Sequence, residues 1–307
     1  MASEKVTPKK MVVGQRVAVT IEKIAHGGHF IARHEGAVIF VRHAIPGEEC
    51  TIEISSVGSS FNRGDVVSVE KASVDRVSPP CSYAHRLGCG GCDFQHIEIS
   101  AQRKLKSDVI REQFARIAKM EIDVEVEEVG PALGWRTRAT ASVTKSGKIG
   151  FISARSHNVI AIDNCLITAP GIEFSALSKK QWQTGAKIDL VEGSKSATAD
   201  AKRNFAPHSN VNIVTASVER AITRIDGGDV VILDPPREGA GKEVISELAR
   251  ISPRAIVYVA CDPAALARDT TYLQEVGYSL KKMRAFDLFP MTHHIETVAL
   301  YEHNKVS

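Results

Sequence analysis

Short stretches of alternating hydrophobic and polar residues occupy positions 11–72. They read VAVTIEKIA, HFIARHEG, AVIFVRHA, EECTIEISSVG and GDVVSVEKA. Turn signals such as Gly27-Gly28 and Pro46-Gly47 separate them. Evenly spaced short strands of this kind predict a small closed β-barrel, similar to an OB fold. Such barrels often bind oligonucleotides, but a barrel that only packs against its neighbour fits the same pattern.

Helical periodicity replaces this alternation in the segment AQRKLKSDVIREQFARIAKM at 101–120. Its apolar residues recur every three or four positions, while lysines and arginines fill the other face. We predict one basic amphipathic helix, whose charged face is either solvated or in contact with RNA. Strand patterns return between 123 and 168, which predicts a central α+β region.

The last part of the chain alternates apolar strand patterns with helical ones. The strand patterns are DLVEGS, VNIVTAS, VVILDPP, AIVYVAC and ETVALYEH, and the helical ones are SATADAKRN, GKEVISELARI and PAALARDTTYL. This alternation predicts the α/β class, with a parallel, doubly wound sheet and functional loops at the carboxyl ends of its strands.

Composition adds limits rather than a function. The chain has 307 residues, 43% hydrophobic and 24% charged, which suits two or three globular domains. It contains no run of 18 apolar residues, and no apolar stretch follows the charged start MASEKVTPKK. We therefore expect no membrane span or secretory signal, and a cytoplasmic location. The net charge of +3 is too small to indicate a polyanionic partner.

Four of the six cysteines form a pattern of their own. In a chain without a secretion signal, cysteines are more often metal ligands or catalytic groups than disulfides. Three lie in the Gly-rich segment 79–96 with the spacing C-x7-C-x2-C, and a fourth follows in the sequence IDNC. These four are Cys81, Cys89, Cys92 and Cys165. Four thiolates suit Zn²⁺ or a [4Fe-4S] cluster, and the residues alone do not separate the two.

Polar residues end two of the predicted strands. Asp234 follows VVIL and precedes two prolines, which predicts either a rigid polar lip for a planar substrate or a plain tight turn. Cys261 ends AIVYVA just before a predicted helix, where amide groups and the helix dipole are expected to lower the pKa of a thiol. A cysteine in this place can also be a small buried hydrophobe. His293 and His294 are expected on a strand, where adjacent side chains point to opposite faces and cannot share one metal ion.

Combined motifs point to a family. The sequences DPPR with Gly239, CDP followed by Arg268-Asp269, and DLFPMTHHIE occur in that order. In these motifs the chain resembles the uracil-C5 methyltransferases of RNA that contain a TRAM barrel, the branch typified by methylation of 23S ribosomal RNA. The N-terminal barrel resembles a TRAM domain, and WRTR, GFISARSH and IDNC resemble the central domain of that family. The resemblance implies a C-terminal domain of the Rossmann-like methyltransferase type.

The resemblance also implies roles for individual residues. Cys261 matches the nucleophile that adds to uracil C6, and Glu296 matches the base that removes the C5 proton. Asp234 and Glu192 match residues that bind S-adenosylmethionine. From the residues alone, Glu192 suits a helix N-terminal acid equally well. For the four cysteines, the resemblance implies a [4Fe-4S] cluster rather than zinc.

The partner implied by the resemblance is RNA, and 23S ribosomal RNA rather than transfer RNA. The chain is expected to act as a monomer without membrane contact. We expect a TRAM barrel at 8–74, a cluster loop and central RNA-binding domain at 75–180, and a partial methyltransferase domain at 181–307.

One element of the family pattern is missing. The Gly-rich first strand that wraps the cofactor, of the type D-L-Y-x-G-x-G, has no match here. Fewer than twenty residues separate Ile172 from Glu192, whereas a strand, a crossover helix and a return strand need about 30. We therefore expect a methyltransferase domain that lacks its first strand. The alternative to an active enzyme is a truncated form or an RNA-binding paralogue that does not bind the cofactor.

Overall fold

Five strands at the N-terminus close into a barrel. The computed structural model describes residues 11–170, 175–176, 179, 187–191, 222–225 and 227–304. The barrel strands run in the order β1-β2-β3-β5-β4, and β4 pairs back with β1. Their side chains alternate between a buried and a more exposed face, as the sequence pattern predicts. The strands are β1 (Arg16–Ala25), β2 (His29–His34), β3 (Ala37–Arg42), β4 (Glu49–Val57) and β5 (Asn62–Lys71).

A buried ion pair fastens the barrel to the segment that leaves it. The carboxylate of Glu48 is fully buried and accepts hydrogen bonds from Nε and Nη2 of Arg76, both at 2.6 Å. It also accepts from the amides of Ile45 and Ser73, at 2.8 and 3.1 Å. All four contacts satisfy a charge that would otherwise be costly to bury.

The predicted basic helix is helix α1 (Ile99–Gln113), which continues through one π-helical turn, Phe114–Ala118. Glu98 caps its start by accepting hydrogen bonds from the amides of Ser100 and Ala101. The helix buries the face that the periodicity indicates. It also buries Gln102 and Lys106, which lie on that same face.

The central sheet has four strands, β7 (Arg138–Val143), β8 (Ile149–Ile152), β9 (Val159–Ala161) and β10 (Lys187–Val191), in the order β10-β7-β8-β9. We expected 187–191 in the methyltransferase sheet, and this expectation is wrong. The strand pairs antiparallel with β7 instead. A short apolar run predicts a strand but does not specify which sheet edge it joins.

The C-terminal sheet confirms the α/β class. Its strands run in the order β11-β12-β14-β13-β6, and two helices pack with it. Strands β11 and β12 are parallel, whereas β14 is antiparallel to both of its neighbours, so the described sheet is mixed rather than wholly parallel. The strands are β6 (Val126–Glu128), β11 (Val230–Leu233), β12 (Ala255–Ala260), β13 (Tyr278–Asp287) and β14 (Glu296–His303). The helices are α2 (Gly241–Ile251) and α3 (Pro263–Glu275).

Strand β11 is the outermost strand of this sheet in the described part of the chain. Two of its apolar side chains are exposed, Ile232 by 72% and Val230 by 45%, whereas Leu233 is buried. The predicted strand VNIVTAS and helix SATADAKRN lie outside the described residues. No helix among the described residues is long and apolar enough to cross a membrane.

Candidate active site

The ends of two neighbouring strands bring Cys261 and Glu296 together. Cys261 directly follows β12, and Glu296 is the first residue of β14. Because these strands are antiparallel and Ala260 pairs with Thr297, the carboxyl end of one meets the amino end of the other. The Thr297 hydroxyl donates to the Ala260 carbonyl at 3.1 Å and reinforces this junction. The structure therefore brings together the two residues that the sequence analysis singled out for catalysis.

Aromatic side chains surround the thiol and the carboxylate in one pocket, which we call the Cys261–Glu296 pocket. The indole of Trp135 meets the ring of Phe289 edge to face, with centroids 5.5 Å apart. The ring of His294 meets Phe289 from another side at 6.0 Å. Arg136, Thr137 and Arg237 complete the lining. Flat walls beside a thiol and a carboxylate suit a planar base.

The electrostatics of the pair differ from the sequence expectation. Burial raises the pKa of the Cys261 thiol, and the carboxylate of Glu296 raises it further, while Arg237 opposes them. The predicted lowering of this pKa is therefore wrong, because burial and a neighbouring negative charge outweigh the helix N-terminus. Burial also raises the pKa of Glu296, with a further contribution from Asp234, and Arg237 again opposes.

The residue after Cys261 connects helix α3 to the barrel. Asp262 caps the helix, because its Oδ1 accepts from the amides of Ala264 and Ala265 at 2.9 and 2.8 Å. Its Oδ2 lies 2.9 Å from Nε2 of His26, in the turn between β1 and β2. The barrel thus contacts the strand end that carries the nucleophile candidate. No sequence pattern pointed to His26.

Three polar residues hold the loop that precedes Glu296. Lys106 donates to Asp287 and to the carbonyl of Phe289, at 2.5 and 3.2 Å. Gln102 accepts from the amide of Met291 at 2.9 Å. Asp93 accepts from the imidazole of His293, with Oδ2 2.6 Å from Nδ1.

Sequence reasoning missed all three of these supports. A signal existed for Lys106 and Gln102, because both are polar residues at positions that the helical periodicity of α1 assigns to the buried face.

The two adjacent histidines do not lie on a strand. They precede β14, and their ring centroids are 4.2 Å apart, so both rings lie on the same side. The premise that adjacent residues point to opposite faces was therefore wrong here. Burial, followed by the charges of His293 and Arg237, lowers the pKa of His294 to about 4, so this ring is neutral at neutral pH.

The four cysteines meet in a second pocket. Cys81, Cys89, Cys92 and Cys165 all line it, and each is a free thiol. Burial raises the pKa of Cys92 to about 12. Arg136 lines both this pocket and the Cys261–Glu296 pocket. Within the described ranges, no group of three or more His, Cys, Asp or Glu side chains is placed to hold a metal ion.

Of the two cofactor-binding candidates, only Asp234 lies within the described residues. Asp234 follows β11 and is exposed, at the end of the strand next to β12. Glu192 lies outside the described residues.

Comparisons with known proteins decide the family. Residues 10–67 match the model for the TRAM domain, and residues 195–304 match the model for tRNA (uracil-5-)-methyltransferase. An RNA methyltransferase from Streptomyces avermitilis is 32% identical, with 94% of this chain and 99% of the relative covered. One from Streptomyces coelicolor is 30% identical, with 98% and 95% covered. This chain is an RNA methyltransferase of the same family as these relatives.

A solved structure supports the fold of the methyltransferase. The crystal structure of the tRNA (uracil-54, C5)-methyltransferase from Pyrococcus abyssi, in complex with S-adenosyl-L-homocysteine, superposes with a TM-score of 0.62. The match covers 92% of this chain and 99% of that one, at 19% sequence identity.

The comparisons also bear on the missing first strand. The alignment with the Streptomyces avermitilis relative runs over 431 positions, whereas this methyltransferase has 307 residues. At least 124 positions of that relative therefore have no counterpart here. The methyltransferase is shorter than this relative within the aligned region.

Two family motifs of the methyltransferase turn out to be one structural unit. Asp269 is fully buried and accepts hydrogen bonds from the amide of Ala240 and the hydroxyl of Tyr258, at 2.8 and 2.6 Å. It thereby holds the turn that follows DPPR. Gly239 in that turn has φ +84°, and a Cβ there would lie 2.5 Å from Asp269 Oδ2. The Arg268-Asp269 motif is therefore a support for the DPPR turn.

Proposed function

We propose that this methyltransferase methylates C5 of uridine in RNA, with S-adenosylmethionine as the methyl donor. The observation that carries the proposal is the placement of Cys261 and Glu296 at adjoining strand ends, in one pocket with aromatic walls. A thiol and a carboxylate on either side of a planar base are the two groups that this reaction requires.

The reaction begins at C6 because C5 of uracil is a poor nucleophile. The Cys261 thiolate forms a bond to C6, and the displaced electron pair makes C5 nucleophilic. S-adenosylmethionine, when bound, supplies the methyl group that C5 takes up. The Glu296 carboxylate then removes the C5 proton, and the electron pair of that C–H bond restores the double bond and expels the thiolate. The raised pKa of Glu296 suits a carboxylate that must hold a proton between steps.

Positive charge in the pocket assists both steps. Arg237 favours the charged forms of both Cys261 and Glu296. Asp234 directly follows β11, which lies on the side of β12 away from β14, and we assign it to the cofactor side of the site. Glu192 is assigned to the ribose hydroxyls of the cofactor on its motif position.

A mechanism-based substrate tests the proposal. In 5-fluorouridine, fluorine replaces the proton that Glu296 would remove, so the methylated adduct cannot resolve. With S-adenosylmethionine present, the wild-type chain should form an adduct with 5-fluorouridine RNA that survives a denaturing gel. Cys261→Ala should form none, whereas Glu296→Gln should accumulate an adduct even with ordinary uridine RNA. An adduct that persists in Cys261→Ala would rule out this mechanism.

For the RNA itself, we propose 23S ribosomal RNA rather than transfer RNA. The support is the combination of a TRAM barrel with the four-cysteine site, which resembles the ribosomal branch of the family. Transcripts of both RNAs, offered at equal concentration with labelled S-adenosylmethionine, should differ in methyl incorporation. Preferential labelling of the transfer RNA would reverse this assignment.

For the cysteine site, we propose a [4Fe-4S] cluster on Cys81, Cys89, Cys92 and Cys165. Four thiols that line one pocket fit such a cluster, and Arg136 nearby offsets part of its negative charge. A single Zn²⁺ would draw four sulfurs to within about 3.8 Å of one another. A cubane instead binds each thiolate at a different corner, so four thiols that share a pocket but are not placed around one metal ion suit it better.

Metal analysis of anaerobically purified protein tests this assignment. We expect iron and sulfide in equal amounts with broad visible absorbance, and loss of both in Cys92→Ser. Cys50→Ser is the matched control, because Cys50 is buried in the barrel away from the site. Zinc in place of iron would contradict the proposal.

Two observations favour a second candidate function. This chain lacks many positions of the Streptomyces avermitilis relative, and two side chains of β11 are exposed. Both observations fit a chain that binds RNA but not the cofactor. Isothermal titration with S-adenosylmethionine separates the two. Micromolar binding would exclude the noncatalytic form. RNA binding without cofactor binding or methyl transfer would exclude the enzyme.

A further inference from the structure

A second cavity lies on the barrel side of Cys261. Together with the solvent at its open side it has a volume of about 650 Å³, and its walls come from the β1–β2 turn of the barrel, helix α1 and the loops around the nucleophile. Cys261, Arg237 and His294 line both this cavity and the Cys261–Glu296 pocket. We call it the barrel-side cavity. Any group bound in it is therefore an immediate neighbour of whatever occupies the first pocket.

Imidazole rings form much of the wall of the barrel-side cavity. His26 projects from the barrel turn with 39% of its side chain exposed, and it is held by Asp262. His293 is held by Asp93 and is 31% exposed. Gly28 packs so closely against His293 that a Cβ at this position would lie 2.9 Å from the histidine Cβ. Two rings are thus fixed in place, each with part of its surface free.

The charged group of the cavity that is free to contact a ligand is positive. Arg237 is exposed, and within the described part of the chain it forms no ion pair. Its Nη2 lies 3.4 Å from Nε2 of His294. Lys106 also lines the cavity, but it is committed to Asp287. The one carboxylate in the lining, Asp262, is already bonded to His26 and to the helix amides.

We propose that the barrel-side cavity binds the nucleotide next to the target uridine, with its base against His26 and His293 and its phosphate at Arg237. Single-stranded RNA is commonly bound by stacking bases on histidine or aromatic rings, while arginine contacts the backbone. The cavity shares Cys261 with the pocket for the target base, so its occupant lies beside that base. The proposal rests on the uridine methylation proposed above, and it gives the barrel a direct role in choosing the substrate.

A double-mutant cycle between protein and RNA tests the proposal. The probe is a short oligocytidine with one central 5-fluorouridine, which fixes the register, and with an abasic site at the preceding or following position. The half-saturating RNA concentration for adduct formation is measured with the full-length chain and S-adenosylmethionine. Removing the base at one of the two positions should weaken binding about tenfold, as should His26→Ala with intact RNA. The two losses combined should not exceed either alone.

Matched variants separate stacking from a structural effect. His26→Phe keeps a ring and should retain most of the affinity for intact RNA. His26→Asn keeps a polar partner for Asp262 but has no ring, and it should lose that affinity. His34→Ala, on β2 of the same barrel and outside the cavity, should bind like the wild type. Losses that multiply at both abasic positions would overturn the proposal.

Two other outcomes are distinguishable from these. If His26→Ala weakened S-adenosylhomocysteine binding and left RNA binding unchanged, the cavity would be a cofactor site and the proposal would be wrong. If no adduct formed in any variant with either the intact oligonucleotide or a 5-fluorouridine transcript of 23S ribosomal RNA, uridine methylation itself would be refuted. Fluorescence anisotropy with the same RNAs would then show whether His26 still recognises the neighbouring base.

Discussion

The ammonium of Lys106 lies 2.5 Å from the carboxylate of Asp287, and their side chains are only 1% and 2% exposed. The same ammonium reaches the carbonyl of Phe289, so helix α1 and the loop that leads to Glu296 share one buried charge. The second carboxylate oxygen of Asp287 is buried without a hydrogen-bond partner in the described structure. The buried negative charge of Asp287 is therefore compensated by Lys106.

Removal of this lysine should destabilise the fold. Lys106→Met leaves the buried carboxylate without its partner, and we expect a loss of about 3–5 kcal/mol in the free energy of unfolding, measured by urea denaturation. The double variant Lys106→Met/Asp287→Asn removes the charge as well and should recover part of that loss. If the second substitution added to the loss, the pair would not be coupled.

The raised pKa of Cys261 predicts a steep pH dependence. Only the thiolate attacks C6, and below the pKa of a thiol its ionised fraction grows about tenfold per pH unit. The rate of adduct formation with 5-fluorouridine RNA should therefore rise from about pH 7 to about pH 9. Arg237→Gln should slow the reaction throughout this range, because the guanidinium lowers that pKa, and Arg237→Lys should slow it less. A rate that is flat from neutral pH upward would contradict the raised pKa.

The DPPR turn should not tolerate a side chain at Gly239. An alanine there would adopt a left-handed conformation and place its Cβ against Asp269. We therefore expect the free energy of unfolding to fall by about 2 kcal/mol or more. Gly228→Ala is the control, because nothing lies within 4 Å of a Cβ at that position. Equal stability of the two variants in thermal and urea unfolding would show that the turn adapts.

The barrel should lose stability in acid through Glu48. Burial alone would raise the pKa of this carboxyl, but the hydrogen bonds from Arg76, Ser73 and Ile45 hold it below the ordinary value. A carboxyl with a lowered pKa in the folded state contributes stability above its unfolded pKa of about 4.3, and this is lost as the pH falls through the folded value.

Urea denaturation at several pH values measures this contribution. Glu48→Gln should be less stable than the wild type near neutral pH, and the difference should shrink below about pH 4. Glu49→Gln, which alters an exposed neighbour that pairs with Lys71 at 3.4 Å, should follow the wild-type profile. A difference between Glu48→Gln and wild type that stays constant with pH would contradict the assignment.

Local pattern predicted the elements of this protein better than it predicted their partners. The alternation in residues 11–72 and the periodicity of 101–120 correspond to the barrel and to α1, because both patterns follow from the burial of one face. Strand 187–191 was recognised as a strand but assigned to the wrong sheet. Pairing depends on which edge is available in three dimensions, and a short apolar run does not encode it.

The candidate site shows the same limit. Cys261 and Glu296 were found because motif order carries them, and the meeting of β12 and β14 brings them together. The pKa direction at Cys261 was predicted wrongly, since the burial of the thiol is a property of the assembled pocket. His26 and Asp93 act across 236 and 200 residues of sequence, and no local pattern links them to their partners.

The outermost position of β11 in the described part of the sheet has a consequence for the behaviour of the chain at high concentration. Within the described residues β11 pairs along one edge only, and a strand edge of this kind with exposed apolar side chains such as Ile232 and Val230 offers a template on which another strand can assemble. Two copies that met along this edge would continue one sheet across both molecules. Association of this kind would depend on how much protein is present, and the oligomeric state would then be a matter of concentration rather than a fixed property of the fold.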